Sequence, residues 1–154
     1  MQRTEDGQTV KLADYRPTDF VLHGVAMTLM LFSRTQKLPE EQEETLNKAL
    51  AQLELFAKQN PNHPKAGTAN TETGKNILET AEVEVRKAES PSEQNNKKAH
   101  QEAARKLIAQ ARSIFQKAYD QHEKTWKSFP ATFIDKNKEP EKYEARAKAE
   151  IQFM

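Results

Sequence analysis

Residues 90–129, SPSEQNNKKAHQEAARKLIAQARSIFQKAYDQHEKTWKSF, decide the fold of this chain. Ser90 suits the cap of a helix, Pro91 its first position, and Glu93 the partner position of a capping box. The rest of the stretch contains neither Gly nor Pro, and small or apolar residues recur at steps of three and four: Ala104, Leu107, Ala111, Phe115, Ala118, His122, Thr125, Trp126 and Phe129. This spacing predicts one long amphipathic helix over about 92–129, with a narrow apolar seam close to coiled-coil spacing.

The same periodicity predicts four further helices separated by breaks that contain Pro. They are expected at about 18–36, 39–59, 64–89 and 139–154, within a single helical domain over 17–154. Residues 1–16 are polar and are expected to form a flexible N-terminal segment. Residues 66–74 are poor helix formers and leave three alternatives open: a loop with firm helix only from 75, a frayed helix start, or a thin helix packed closely against a neighbour. The predicted fold class is all-α, built from antiparallel helical hairpins.

The first helix is apolar on more than one side. Its apolar residues are Phe20, Val21, Val25, Met27, Leu29 and Phe32. This distribution predicts either the most buried element of the chain or a helix that faces a partner as well as its neighbour. The apolar run of about thirteen residues is shorter than the ~20 that a membrane-spanning helix needs, so no membrane span is expected. The compartment stays unknown: cytoplasmic by default, or the bacterial envelope if a signal peptide has been removed.

The composition argues against an enzyme, a cofactor and a metal site. Cysteine is absent, which excludes disulfides, thiol nucleophiles and Cys-bound zinc. The four histidines, His23, His63, His100 and His122, form neither a His-x3-His nor a His-Glu-x2-His pair. The chain also lacks a Gly-rich phosphate loop, a Gly-x-Ser-x-Gly motif and a Glu-x-x-His motif. We therefore expect a non-enzymatic protein without a cofactor.

Basic residues on the long helix raise the alternative of a small helical nucleic-acid-binding subunit. They are Lys97, Lys98, Arg105, Lys106, Arg112 and Lys117. Acidic residues dilute this stripe, and the formal net charge of the chain is only +1. Nucleic-acid binding is therefore disfavoured, and it would weaken steeply as salt rises.

Small and large residues recur at similar offsets in two of the predicted helices. The two patterns are Ala49-x3-Leu53-x2-Phe56-x4-Pro61 and Ala111-x3-Phe115-x2-Ala118, followed by Pro130. They resemble the second helix of the tetratricopeptide repeat, and Phe20-x3-Gly24-x2-Met27 fits the first helix of that repeat loosely. The two Ala anchors lie 62 residues apart, against a family period of about 34. The resemblance therefore implies overlong helices in a degenerate tetratricopeptide-like protein of bacteria.

The resemblance implies a right-handed stack of hairpins that binds proteins or peptides, while good helix packing in a four- or five-helix bundle would explain the same spacing. We expect a protein–protein interaction scaffold, with a self-associating structural bundle as the alternative. The predicted partner-binding residues lie near the end of the long helix, which is expected to overshoot its pair by about two turns. They are Arg112, Tyr119, His122, Trp126, Phe129 and Phe133.

The final helix has an apolar face that runs to the last residue. It is formed by Tyr143, Ala147, Ile151, Phe153 and Met154. We expect either that the chain is a fragment of a longer repeat array or that another copy covers this face in a homo-oligomer.

Overall fold

The computed structural model describes side chains for residues 21–60, 63, 65–130, 132 and 134–154, and the backbone alone for residues 2–5, 8–11 and 17–20. The described residues form five α-helices: α1 Pro17–Ser33, α2 Pro39–Gln59, α3 Ala66–Glu89, α4 Lys97–Lys127 and α5 Pro140–Phe153. A 3-10 helix, Pro91–Asn96, joins α3 to α4. Two short strands, β1 Gln2–Glu5 and β2 Gln8–Lys11, pair antiparallel within the segment that the sequence predicts to be flexible.

Each helix packs mainly against its neighbours in the sequence. The main packed pairs are α1 with α2, α2 with α3, α3 with α4, and α4 with α5, whereas α1 and α3 meet at only a few residues. Consecutive pairs run antiparallel. Tyr119 and Trp126 of α4, for example, contact Phe153 and Arg146 of α5 in reversed order. The all-α fold of antiparallel helical hairpins predicted from the sequence is confirmed.

The core lies where α2 contacts α1 on one side and α3 on the other. The buried residues of α2 recur at steps of three and four: Thr45, Leu46, Ala49, Leu53 and Phe56. From α1, Ala26 and Met30 join Ala49 and Leu53 in one apolar cluster. Asn76 of α3 is fully buried, and its amide donates a hydrogen bond to the Leu46 carbonyl at 3.0 Å. This bond links α3 to the backbone of α2.

Residues 66–74 form a thin helix packed closely against a neighbour, the third of the alternatives left open by the sequence. A Cβ atom added at Gly67 would lie 2.7 Å from the His122 ring, and one added at Gly74 would lie 2.7 Å from the Phe115 ring. Small residues recur every seven positions on α3, at Gly67, Gly74, Ala81 and Ala88, and on α4, at Ala104, Ala111 and Ala118. The absence of side chains at the two glycines is what lets the rings of α4 approach α3 so closely.

The long helix begins later than the sequence predicts. The Ser90 hydroxyl makes a hydrogen bond with the Ser92 hydroxyl at 2.8 Å instead of capping a backbone N–H, and Glu93 has non-helical φ and ψ angles. The Glu93 carboxylate accepts a hydrogen bond from the Asn96 amide at 2.9 Å. Residues 91–96 thus form a 3-10 helix with local side-chain hydrogen bonds, and α4 starts at Lys97.

The first helix also ends earlier than predicted, at Ser33 instead of about residue 36. The Ser33 hydroxyl donates to the Met30 carbonyl at 2.7 Å, and the backbone N–H of Thr35 donates to Phe32. These three-residue bonds tighten the chain into the turn that precedes α2.

Candidate interaction surface

The end of α4, where the sequence places the partner-binding residues, is partly covered by other parts of the chain. The ring of His122 packs onto Gly67 of α3, and burial lowers the His122 pKa. The Trp126 ring lies under the guanidinium of Arg146, 5.3 Å from its centroid. The Tyr119 ring contacts the Phe153 ring at 5.4 Å between centroids. Three of the six predicted residues therefore make contacts within the chain.

The remaining three differ in their surroundings. Arg112 is exposed on α4 and Phe129 is half-buried after its end, while Phe133 lies outside the described residues. Tyr119 keeps 47% of its surface exposed despite its contact with Phe153. Among the described members, Arg112 and Tyr119 offer the most accessible surface.

The fold-back of α5 explains why the end of α4 does not project alone. One nitrogen of Arg146, Nη1, donates hydrogen bonds to the carbonyl oxygens of Pro130 at 3.2 Å and Thr132 at 2.9 Å. The same guanidinium stacks on Trp126. Arg146 thus fastens α5 to both α4 and the connector, so the predicted overshoot with few neighbours is not what the structure shows.

Among the described residues, α1 exposes more large apolar side chains than any other helix, and we call the surface that carries them the α1 outer face. It consists of Val21, Gly24, Val25, Thr28, Leu31 and Phe32. The exposed fractions of its four large side chains are 59% for Val21, 41% for Val25, 58% for Leu31 and 55% for Phe32. Residues 21–33 contain no Asp, Glu, Lys or Arg. An uncharged apolar face of this kind is typical of a contact surface.

This face is exposed because α1 packs essentially on one side. Among its described side chains, the buried Ala26 and Met30 pack against Ala49 and Leu53 of α2, and α3 meets α1 at only a few residues. The guanidinium of Arg34, just after α1, reaches Glu79 of α3 at 2.5 Å. The sequence indicated that α1 is apolar on more than one side, but it did not show that the second side stays uncovered.

An open depression of about 660 Å³ lies beside Phe32, between the end of α1 and the start of α2. Its wall carries both signs of charge, from Lys37, Glu41, Glu44 and Lys48. Glu44 and Lys48 are paired at 2.6 Å, which lowers the Glu44 pKa through the hydrogen bond and the lysine charge. The depression therefore borders the α1 outer face with polar groups.

A charged cluster joins α2, α3 and α4 around the mostly buried Glu84. His100 Nδ1 lies 2.8 Å from Glu84 Oε2, and His100 Nε2 lies 3.5 Å from Glu93 Oε2. Lys87 pairs with Glu84 at 3.2 Å and also with Glu43 of α2. The hydrogen bond with Glu84 is the main cause that raises the pKa of His100. Burial alone would raise the pKa of Glu84, but hydrogen bonds from His100 and Lys87 outweigh it and lower that pKa.

The contacts of this cluster are those of a packing network. Its carboxylates accept bonds from side chains of neighbouring elements, which ties the starts of α2 and α4 to the end of α3. Among the side chains that the structure describes, no three His, Asp or Glu groups lie where they could hold a metal ion. The cluster therefore stabilises the packing of α2, α3 and α4 against one another.

The basic residues of α4 are exposed, as a nucleic-acid surface would require. Lys97, Lys98, Arg105, Lys106, Arg112 and Lys117 all belong to this exposed set. Lys106 is paired with Glu102 at 2.9 Å, however, and acidic side chains alternate with the basic ones along the helix. Of the helices described, none combines the length and the apolar character needed to cross a membrane.

No family model matches this chain, and neither a curated protein nor a solved structure matches it. Among the described surfaces of the molecule, the α1 outer face carries the most exposed large apolar side chains.

Proposed function

We propose that the protein is a non-enzymatic protein–protein interaction scaffold built from helical hairpins, with the α1 outer face as its contact surface. The observation that carries this proposal is the group of four large apolar side chains, each 41–59% exposed, on one face of residues 21–33, which contain no Asp, Glu, Lys or Arg. Full burial of one such side chain stabilises by about 1.5–3 kcal/mol, so covering the four would contribute several kcal/mol. Because covering this surface would release several kcal/mol, the surface favours a permanent or recurrent contact with another protein.

The rest of the molecule supports a scaffold role. The seam between α3 and α4 is closely packed through Gly67 and Gly74, and the charged cluster around Glu84 fastens three helices together. This packing supports α2, on which α1 packs, and a preorganised surface lowers the entropy lost when a partner binds. An apolar helix face is suited to another amphipathic helix, and the depression beside Phe32 adds polar groups at its rim.

The tetratricopeptide resemblance stays a prediction, and the proposed function does not depend on it. The exposed Arg112 and Tyr119 stay candidates for a second contact, since Arg and Tyr are enriched among residues that dominate interface energies. The α1 outer face has no charged residue, and this favours a protein partner over nucleic acid. Nucleic acid is held chiefly by contacts between its phosphates and basic side chains.

Site-specific photo-crosslinking tests the proposed contact surface. A photoreactive phenylalanine derivative would replace Leu31, and Ile108, which is 49% exposed on α4, would carry the same probe as the matched control. We expect protein adducts at Leu31 well above those at Ile108 in the producing cell. The protein in each adduct would be identified by mass spectrometry. Its complex with this protein would then be reconstituted from purified components. Equal yields at the two positions, or adducts with nucleic acid alone, would remove the proposal.

A further inference from the structure

The glycines inside α1 and α3 differ in what packs against them. A helical glycine costs about 1 kcal/mol relative to alanine, so its presence calls for a reason. Gly67 and Gly74 of α3 each receive an aromatic ring from α4, at a separation that no Cβ atom would allow. Gly24 of α1 has the same helical setting, but no atom of the described residues lies within 4 Å of where its Cβ would be. Gly24 thus leaves room for a ring that none of the described side chains fills.

The second observation is that α1 itself carries the matching ring. Phe32 lies eight residues after Gly24 on the same face and is 55% exposed. In an antiparallel pair of identical helices, a two-fold axis at Thr28 would place Gly24 of each copy opposite Phe32 of the other. The same axis would place Val25 opposite Leu31. A two-fold contact requires this reciprocity, in which the surface is complementary to itself.

We propose that the α1 outer face binds the α1 outer face of a second copy of this chain. The two helices run antiparallel about an axis at Thr28, with Phe32 of each copy packed on Gly24 of the other. This inference rests on the proposed function, because it names the occupant of the same contact surface. It also differs from association through α5, which the apolar end of the sequence suggested.

The chemistry of the face is suited to self-pairing. Because residues 21–33 carry no Asp, Glu, Lys or Arg, two copies bring no like charges together. The Thr28 hydroxyl already donates to the Gly24 carbonyl at 3.0 Å, so it enters the contact without leaving an unpaired donor. The antiparallel arrangement also sets the dipoles of the two helices in opposite directions.

The size of the face sets the expected strength. A helix of 17 residues is about 25 Å long, and one face of it offers less than the ~800 Å² per partner of a standard interface. We therefore expect a reversible dimer whose population depends on concentration.

Cysteine crosslinking tests the axis directly, because the chain has no cysteine of its own. Thr28→Cys places two thiols next to each other across the proposed axis. Leu55→Cys, at a site on α2 that is 39% exposed, is the control. Under mild oxidation, we expect the disulfide-linked dimer of Thr28→Cys to form at least about tenfold faster, because pairing raises the effective concentration of its thiols. Equal rates for the two variants would overturn the proposal.

Sedimentation tests the packing of Phe32 on Gly24. We expect Gly24→Ala to weaken dimerisation by about tenfold, because its Cβ fills the space for the ring of the other copy. Within one copy that Cβ meets no atom of the part of the chain that the structure describes, so the same variant should unfold at higher urea concentration. Phe32→Ala should weaken dimerisation likewise, and Leu55→Ala should leave it unchanged. Unaltered dimerisation in both α1 variants would overturn the proposed pairing.

The photo-crosslinking at Leu31 separates failure of this inference from failure of the proposed function. Adducts between two copies support both. A monomer at all concentrations, with Leu31 adducts to a different protein only, overturns self-pairing and leaves the interaction scaffold in place. A monomer without Leu31 adducts above the control removes both.

Discussion

At the scale of single residues, the two glycines of α3 determine how closely α4 can approach. The Phe115 ring occupies the space that a side chain at position 74 would need, and the His122 ring does the same at position 67. Whether a Gly→Ala substitution raises or lowers the free energy of unfolding should therefore depend on its position. In open space the substitution stabilises a helix, and under a ring it forces the two helices apart.

We predict that Gly74→Ala lowers the free energy of unfolding by about 1–3 kcal/mol, the usual cost of overpacking a fitted core. Its Cβ would lie 2.7 Å from the Phe115 ring, so that ring must move away from α3. Urea unfolding followed by circular dichroism measures the change. The matched control is Gly24→Ala, for which we predict a gain of about 0.5–1 kcal/mol in the monomer. A gain at both positions would contradict the close packing of α3 and α4.

His100 gives a prediction for pH. Its pKa is raised above the ordinary value of 6.5, first by the hydrogen bond with Glu84. The stabilisation from protonated His100 is therefore fully present below pH 6.5 and is lost as pH rises through the raised folded-state pKa. The partner Glu84 has a pKa below its ordinary value of 4.5, so its contribution is lost as pH falls through that lowered pKa.

We predict that wild type exceeds His100→Gln in free energy of unfolding by the largest margin between pH 4.5 and pH 6.5, the ordinary pKa values of Glu84 and His100. The margin should shrink as pH rises through the raised pKa of His100. Urea titrations of both proteins across this range measure it. Burial lowers the pKa of His23 and His122, so these two residues make the folded protein less stable as pH falls. Wild type and His100→Gln both contain them, so their effect cancels in the comparison. A margin independent of pH would show that His100 is not charged in the folded protein.

At the scale of the elements, α5 is attached by few contacts. Ala149 is its only buried residue among those described, and Arg146 supplies its polar contacts to the connector and its stacking on Trp126. The attachment of a whole helix thus relies heavily on one planar cation, which lysine cannot replace because lysine has no planar guanidinium to lie over the Trp126 ring.

We predict that Arg146→Ala releases α5 while α1 to α4 stay folded. Trp126 is the only tryptophan of the chain, so its fluorescence reports the change alone. We expect its emission to shift to longer wavelength as the ring becomes hydrated, and limited proteolysis to remove α5 faster. Lys148→Ala, at an exposed site on the same helix, is the control. Emission unchanged from wild type in Arg146→Ala would show that the cation does not cover the ring.

The helices and the fold class could be predicted from the sequence because they depend on local spacing. Steps of three and four residues define the buried face of α2, and Pro39 and Pro140 stand in the first turn of α2 and α5. The thin start of α3 could be stated only as one of three alternatives, because Gly67 and Gly74 favour a helix only when a neighbour packs on them. Local spacing contains no information about that neighbour.

The candidate surface could not be predicted for a related reason. Val21 and Phe32 have the same chemistry whether a helix covers them or not, so their exposure depends on where α3 and α4 lie. The sequence directed attention to Trp126 instead, and the contact that covers it comes from Arg146, twenty residues later. A cation that bonds to backbone carbonyls leaves no pattern in the spacing of side-chain types.

At the scale of the whole molecule, each helix depends mainly on its sequence neighbours. In such an arrangement the terminal helices have one neighbour and the inner helices have two, so stability should decrease toward the ends. Helix α3 contacts both α2 and α4 along its length, and it contains more buried residues than any other described helix.

We predict that amide hydrogen exchange is slowest in the middle of α3, around the fully buried Asn76, and fastest in α5. Exchange in α1 should be intermediate, because α1 packs mainly on α2 and meets α3 at only a few residues. It should slow as protein concentration rises if a second copy covers its outer face. Mass spectrometry of peptides after deuterium labelling measures all three. Uniform protection across the five helices would indicate one cooperative unit instead.

The seven-residue repeat of small side chains between α3 and α4 has a consequence for folding specificity. If α4 slid by seven residues along α3, a shift of about 10 Å, small residues would again face the partner helix, so the seam by itself tolerates more than one alignment. Two polar contacts distinguish the native alignment. Asn70 donates to Gln121 at 2.7 Å near one end, and His100 meets Glu84 at 2.8 Å near the other. A shift of α4 by two turns along α3 would separate both pairs. These contacts therefore favour the native alignment of the two helices over shifted ones.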